Sequence, residues 1–187
     1  MRELVRVGLI YGSTRPGRFC DTVAQWAAKQ IERSGGFSVE SIDPAQPETR
    51  TRSGQQMVSL REQIATADGF VVVTPEYNHG YPAPLKALID SVGAEWHAKP
   101  VAFVSYGGIS GGLRAVEQLR QVFAELHAVT VRDSVSLASA WEQFDESGAL
   151  LKPERAERSM ATMLGRLHWW AVALREARKA APYSQAA

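Results

Sequence analysis

The chain has 187 residues, 45% of them hydrophobic and 22% charged, with 21 Lys and Arg against 20 Asp and Glu for a formal net charge of +1. That is an ordinary soluble balance; it lacks the basic excess that meets nucleic acid, and no apolar run approaches the ~20 residues of a membrane-spanning helix. Cys20 is the only cysteine, which excludes an internal disulfide and a cysteine-based metal cluster. The length predicts one domain over 1–187, large enough to bury a core without crosslinks. Met1-Arg2-Glu3-Leu4 carries an acid and no apolar signal core, so a cytoplasmic location is expected.

In chain order, strands alternate with helices. Leu4 to Tyr11 reads as a strand, alternating at first and then continuously apolar. Cys20 to Arg33 carries Val23, Trp26, Ala27 and Ile31 at helical spacing. Phe37 to Ile42 is a short alternating strand, and Arg50 to Gln56 is the most polar, loop-like piece. Met57 to Ala67 places Leu60, Ile64 and Ala67 on one helical face. Gly69 to Val73 is an apolar run that predicts a buried strand, and Pro84 to Val92 predicts a helix lined by Leu85, Leu88, Ile89 and Val92. Val101 to Ser105 is the fourth strand, and Leu113, Val116, Leu119, Val122, Phe123 and Leu126 form a helical stripe. Val129 to Leu137 is a fifth strand or a strand pair. Pro153 to Arg178 is a long last helix with Met160, Met163, Leu164, Leu167 and Trp170 inward. There is no internal repeat and no low-complexity linker. Strands alternating with helices imply a parallel sheet covered on both faces, and right-handed crossovers leave few topologies.

Three strand ends carry unusual loops. The first strand runs into Gly12-Ser13-Thr14-Arg15-Pro16-Gly17-Arg18, and the next helix starts at about Phe19 to Asp21. A loop of glycines and hydroxyls feeding a helix N-terminus suits an anion; Ser13 and Thr14 add hydroxyl donors, and Arg15 and Arg18 can pair with phosphate oxygens. The spacing matches neither a P-loop nor a dinucleotide fingerprint, so the fit is to one phosphate. The third strand runs into Thr74-Pro75-Glu76-Tyr77-Asn78-His79-Gly80-Tyr81-Pro82, a loop stiffened by proline that offers an aromatic to a flat ligand. The fourth runs into Ser105-Tyr106-Gly107-Gly108-Ile109-Ser110-Gly111-Gly112, whose four glycines let backbone approach a ligand closely. Taken alone, each loop also has a plain reading: a solvated turn with two surface arginines, a proline-rich structural turn, a flexible crossover loop. Together, in a sheet of order 2-1-3-4-5, strands 1, 3 and 4 are neighbours and the loops share the edge where such sheets bind ligands. A planar heterocycle bearing a single phosphate, FMN, fits all three.

Over about Val5 to Leu137 the chain resembles the NAD(P)H-dependent FMN reductases of the flavodoxin-like fold, which include quinone, azo and chromate reductases. The residues that carry the likeness are Gly12-Ser13-Thr14-Arg15, Pro75-Glu76-Tyr77-Asn78, Leu85-Lys86 with Ile89-Asp90, and Ser105-Tyr106-Gly107-Gly108 with Gly111-Gly112. The resemblance implies an α/β three-layer sandwich, FMN as cofactor, NADPH or NADH as donor, a small-molecule electron acceptor, and a homodimer or homotetramer. It implies that Ser13, Arg15 and Arg18 hold the phosphate, that Pro75 to Asn78 contact the isoalloxazine, and that Ser105, Gly107 and Gly108 flank its pyrimidine edge. With Thr14, Phe19, Cys20 and Tyr106 beside them, these are the candidate cofactor-binding residues; none is expected to be catalytic, because the flavin performs the chemistry. Cys20 stands where members often have Asn, and Lys86-Ala87-Leu88 where they often have Lys-Asn-Ala. The helix Leu85 to Val92 and Trp96 are candidates for the subunit contact. A flavodoxin-like electron carrier, a supplier of free reduced flavin to a monooxygenase, and a phosphate-ligand sensor are the other readings.

The remaining reactive residues are read as structural. The four histidines, His79, His97, His127 and His168, are scattered without metal spacing, and His79 is expected to pack its loop. Cys20 is expected to be a small buried hydrophobe. Glu76 is expected to order its loop or the subunit contact. Trp169 and Trp170 belong to core or interface, and Asp68 and Asp90 to helix ends.

Overall fold

The computed structural model describes residues 4–46 and 54–185. The strands are β1 (Val5–Tyr11), β2 (Phe37–Ile42), β3 (Gly69–Pro75), β4 (Pro100–Gly107) and β5 (Val129–Ala138). The helices are α1 (Cys20–Ser34), α2 (Gly54–Thr66), α3 (Ala83–Asp90), α4 (Leu113–Glu125) and α5 (Glu154–Ala180). All neighbouring strands pair in parallel, in the order β2-β1-β3-β4-β5. Of the polar piece read as a loop, residues 50–53 lie outside the described residues, and 54–56 open α2 instead. The fifth element is one strand rather than a pair, with a register shift opposite Val101 and Phe103.

The continuous apolar runs follow from burial on both faces. In β3, Val71 and Val73 face a cluster built with α1 and α5, while Phe70 and Val72 face one built with α2, α3 and α4. Val23, Trp26, Ala27 and Ile31 put the α1 stripe into the first cluster, and Met160, Met163, Leu164 and Leu167 do the same for α5. Leu60 and Ile64 of α2 and Val116, Leu119 and Phe123 of α4 fill the second.

Two expectations change here. Trp96 is no subunit contact: it is wholly buried between Phe70 and Phe123, at ring-centroid distances of 4.7 and 5.4 Å, and its indole N–H donates to Ile89 O at 3.1 Å. Leu85, Leu88 and Ile89 are buried in the same cluster, so the apolar stripe of α3 is spent on the chain's own core. Asp68 is more than a helix-end charge: it is buried, accepts from Arg6 N–H at 2.9 Å, and is gripped by Arg175 of α5 at 3.0 Å. No helix among the described residues is long and apolar enough to cross a membrane.

Candidate flavin site

The loops after β1, β3 and β4 sit side by side because their strands are adjacent. In the first, Gly12 N–H donates to Val73 O at 2.7 Å, and a Cβ at Gly12 would stand 2.7 Å from that same oxygen, so only glycine fits. The next residue, Ser13, is wholly buried with its Oγ 2.8 Å from Tyr77 Oη. Arg15 is exposed, and its guanidinium lies 3.5 Å from the centroid of the Tyr77 ring, a cation–π contact. The first loop is thus latched to the third.

Arg18 takes a different part from Arg15. It donates to Asp43 Oδ1 at 2.7 Å, to Asp21 Oδ1 at 2.8 Å and to the Ser13 carbonyl. The hydrogen bond to Asp43 leads the causes that raise its basicity. Arg18 therefore braces the loop from within, tying β1's exit to α1 and to the end of β2. No side chain caps α1; Asp21 N–H is taken by Arg18 O at 3.5 Å, and the end of the helix beside Arg15 and Thr14 still presents its positive pole to an anion.

The third loop is a tight reversal. Tyr77 and Gly80 exchange backbone bonds of 2.9 and 3.0 Å, and Asn78 and His79 have φ of 51° and 70°. Glu76 anchors its start: Glu76 N–H donates to Tyr106 O at 3.2 Å, Ser110 Oγ donates to Oε2 at 2.8 Å, and Arg114 Nε lies 2.5 Å from Oε1. Burial alone would push this carboxyl up, but the bonds from Ser110 and Arg114 outweigh it and hold it below the usual carboxylate range.

The fourth loop is held from beneath. Ser105 and Ser136 hydroxyls both donate to Gly111 O, at 2.8 and 3.0 Å, and Ser139 N–H donates to Gly108 O at 3.0 Å. Gly111 and Gly112 have φ of 58° and 83°. A Cβ at Gly108 would meet only Trp141, at 3.9 Å, so one face of this backbone is open to a flat partner.

Of the residues expected from the sequence, Ser13, Thr14, Arg15, Pro75, Glu76, Tyr77, Asn78, Gly107 and Gly108 fall along this edge. Phe19, Cys20 and Tyr106 lie in or against the core cluster below it, with Phe19 edge-on to Tyr106 at 6.0 Å. Burial raises the Cys20 thiol and the Tyr106 phenol. Asp43, Ser110, Arg114, Gln118 and Trp141 were not foreseen. His79 packs its loop as expected, against Arg114 at 2.8 Å.

A parallel 2-1-3-4-5 sheet with helices on both faces is a flavodoxin-like fold, and its three loops suit FMN on this structure's own terms. The uncapped helix end with Arg15 and the Thr14 hydroxyl, on a loop shaped by buried Ser13, matches one phosphate, and the glycine backbone after β4 matches a planar ring. Residues 5–142 match the model of the family described as NADPH-dependent FMN reductase. The "NAD(P)H-dependent FMN reductase C4B3.06c" of Schizosaccharomyces pombe is 37% identical over 130 residues, 63% of this chain and 64% of that protein. The "Quinone reductase" of Escherichia coli K12 is 33% identical over 142 residues, 70% of this chain and 76% of that one. Among solved structures, FerB from Paracoccus denitrificans, a flavoenzyme NAD(P)H:(acceptor) oxidoreductase, shares the fold with a TM-score of 0.71 at 18% identity, covering 90% of this chain and 98% of that chain. The chain belongs to the NADPH-dependent FMN reductase family of oxidoreductases.

Proposed function

We propose that this chain holds FMN along the β1, β3 and β4 edge and passes electrons from NAD(P)H to a small-molecule acceptor, a quinone foremost, with azo, nitro, metal-oxyanion or free-flavin acceptors in the same class. The observation that carries the reading is the latch between loops: Ser13 and Arg15 of the anion loop both close on Tyr77 of the ring loop. When bound, FMN supplies hydride acceptance from nicotinamide at N5 and electron delivery to the acceptor. The chain's own residues bind and orient. Arg15, Ser13, Thr14 and the first turn of α1 would hold the phosphate, with Arg18 fixing the loop's shape. Backbone from Glu76 to Asn78 would face the N5/O4 edge, and that of Gly107 and Gly108 the pyrimidine edge, where preorganised donors stabilise negative charge; Ser105, buried and bonded to Gly111 O, would shape that loop from beneath. Donor and acceptor would take turns over one exposed ring face, giving ping-pong kinetics. Arg15 would also favour the extra phosphate of NADPH over NADH. We place the protein in the cytoplasm as a single domain over 1–187 that works as a homodimer or homotetramer.

The test is an absorbance spectrum of the purified protein before and after anaerobic NADPH. A band near ~450 nm, as for any bound oxidised flavin, that NADPH bleaches and a quinone restores supports the reading. A band that NADPH leaves intact points to an electron carrier instead. A colourless protein that fails to take up added FMN overturns the proposal.

A further inference from the structure

The reversal Tyr77-Asn78-His79-Gly80 is built against backbone preference. Both central residues are left-handed, with φ of 51° and 70°, and neither is glycine. Such a pair defines a type I′ shape, a left-handed basin that residues with a side chain enter at a cost. Asparagine and histidine are among the side-chain-bearing residues that tolerate this region best, and α4 supplies the contacts that hold the pair in it.

Arg114, in the first turn of α4, reaches both ends of the loop. Its Nε lies 2.5 Å from Glu76 Oε1, its backbone N–H donates to Glu76 Oε2 at 3.1 Å, and its Nη1 lies 2.8 Å from His79 Nε2 and 3.3 Å from Nδ1. Gln118, one turn further on, donates to His79 O at 2.9 Å. A guanidinium only donates. The Arg114–imidazole contact is therefore a hydrogen bond only while the ring offers Nη1 a lone pair, that is, with His79 neutral. The charged groups facing the ring are Arg114 on α4 and, across the guanidinium, Glu76 on its own loop; the neutral Gln118 donates to the His79 carbonyl and Ser110 to Glu76.

We propose that Arg114 is a positioning residue for the ring-facing loop, acting through Glu76 and a neutral His79, so that proton uptake by His79 loosens the flavin site. The inference rests on the FMN reading above. An imidazolium would confront the guanidinium at hydrogen-bond distance, turning an attraction into a repulsion at the point that holds the strained turn.

The test is the FMN dissociation constant of the full-length apoprotein, read by flavin fluorescence quenching at about pH 8 and about pH 5.5, on either side of the ordinary imidazole range. Wild type, H79Q, R114K and R114M are compared. Wild type should lose about tenfold in affinity on acidification. The FMN phosphate also gains a proton in this range, so H79Q, which keeps a neutral acceptor, isolates the imidazole. H79Q should match wild type at the higher pH and show a clearly smaller loss at the lower. R114M should bind about tenfold more weakly at both, with R114K between it and wild type. The proposal is overturned if H79Q loses as much affinity as wild type, or if R114M binds as wild type does. Should circular dichroism show R114M unfolded, H79Q alone decides. Wild type that fails to bind FMN even at the higher pH overturns the FMN reading itself, a distinct result.

Discussion

At the scale of residues, the edge depends on two kinds of position: charges that are buried with partners, and glycines that no other residue replaces. The Glu76 carboxyl is 5% exposed and bound by Ser110 and Arg114. Its folded pKa lies below the ordinary value of 4.5. Its stabilising contribution is therefore complete above the unfolded value and lost as pH falls through the folded one. Urea unfolding of E76Q should show a loss of about 1–3 kcal/mol at neutral pH, and a shallower decline in acid than wild type. Gly112 and Gly17 separate strain from crowding. At Gly112, with φ of 83°, a Cβ would stand 2.8 Å from Ser105 Cβ and 2.9 Å from Tyr106 N; at Gly17, with φ of 65°, nothing lies within 4 Å. Thermal unfolding should find G112A destabilised by about 3 kcal/mol or more, and G17A by about 1 kcal/mol. The same division explains what sequence reveals of the site. Ser13, Arg15 and the Pro75 to Asn78 run announce themselves locally, as residue types at a strand's exit. Asp43 and Arg114 meet their partners across separations of 25 and 38 residues, which no local pattern encodes. The nearest hint was the position of Arg114, two residues after Gly112 at a helix start.

At the scale of elements, the strand order and the place of nearly every element were legible, because the inner strands β1, β3 and β4 are apolar on two faces, the edge strands β2 and β5 alternate, and each helix carries a stripe. The stripe identifies which residues are apolar but not what covers them; hence Trp96 and the α3 face looked available to a partner when they fill the chain's own core. Arg50 to Gln56 was misjudged in part because polarity alone marks a loop and a first helical turn alike. Lys99, before β4, is another element-level device that sequence conceals. It is buried, and its ammonium donates to Ile64 O and Ala65 O at 2.6 and 2.7 Å, closing the C-terminal end of α2 with a positive charge. Burial and the nearby Arg178 depress it from 10.5 to about 8, against the pull of Asp68. Between those values the unfolded chain holds more protons than the folded one, so stability rises with pH there. Wild type should gain up to about 2 kcal/mol relative to K99M between about pH 8 and about pH 10, measured by denaturant unfolding. Equal slopes for the two proteins would refute the assignment.

At the scale of the whole molecule, the sheet separates two tasks. Its amino-terminal edge, with Lys99 and the Asp68–Arg175 pair, secures helices to strands; its carboxyl-terminal edge gathers three loops that only share a purpose if one ligand spans them. Loading with FMN should therefore stabilise the fold by mass action, by about 2.7 kcal/mol at a hundredfold excess over the dissociation constant. For a chain of this size that is a rise of roughly 5–10 °C in Tm, measurable by scanning fluorimetry. The increment should be the same in K99M as in wild type, because changes at opposite edges are independent. Riboflavin, which lacks the phosphate, divides the site into its parts. If the uncapped N-terminus of α1 and Arg15 hold the phosphate, R15Q should weaken FMN binding by about tenfold, the worth of one charge-assisted bond, and leave riboflavin binding nearly unchanged. The Arg15 contact with Tyr77 sets the competing expectation: if that stacking mainly shapes the ring loop, R15Q would weaken both flavins equally. The ratio of the two losses thus reports whether Arg15 acts on the ligand directly or through Tyr77.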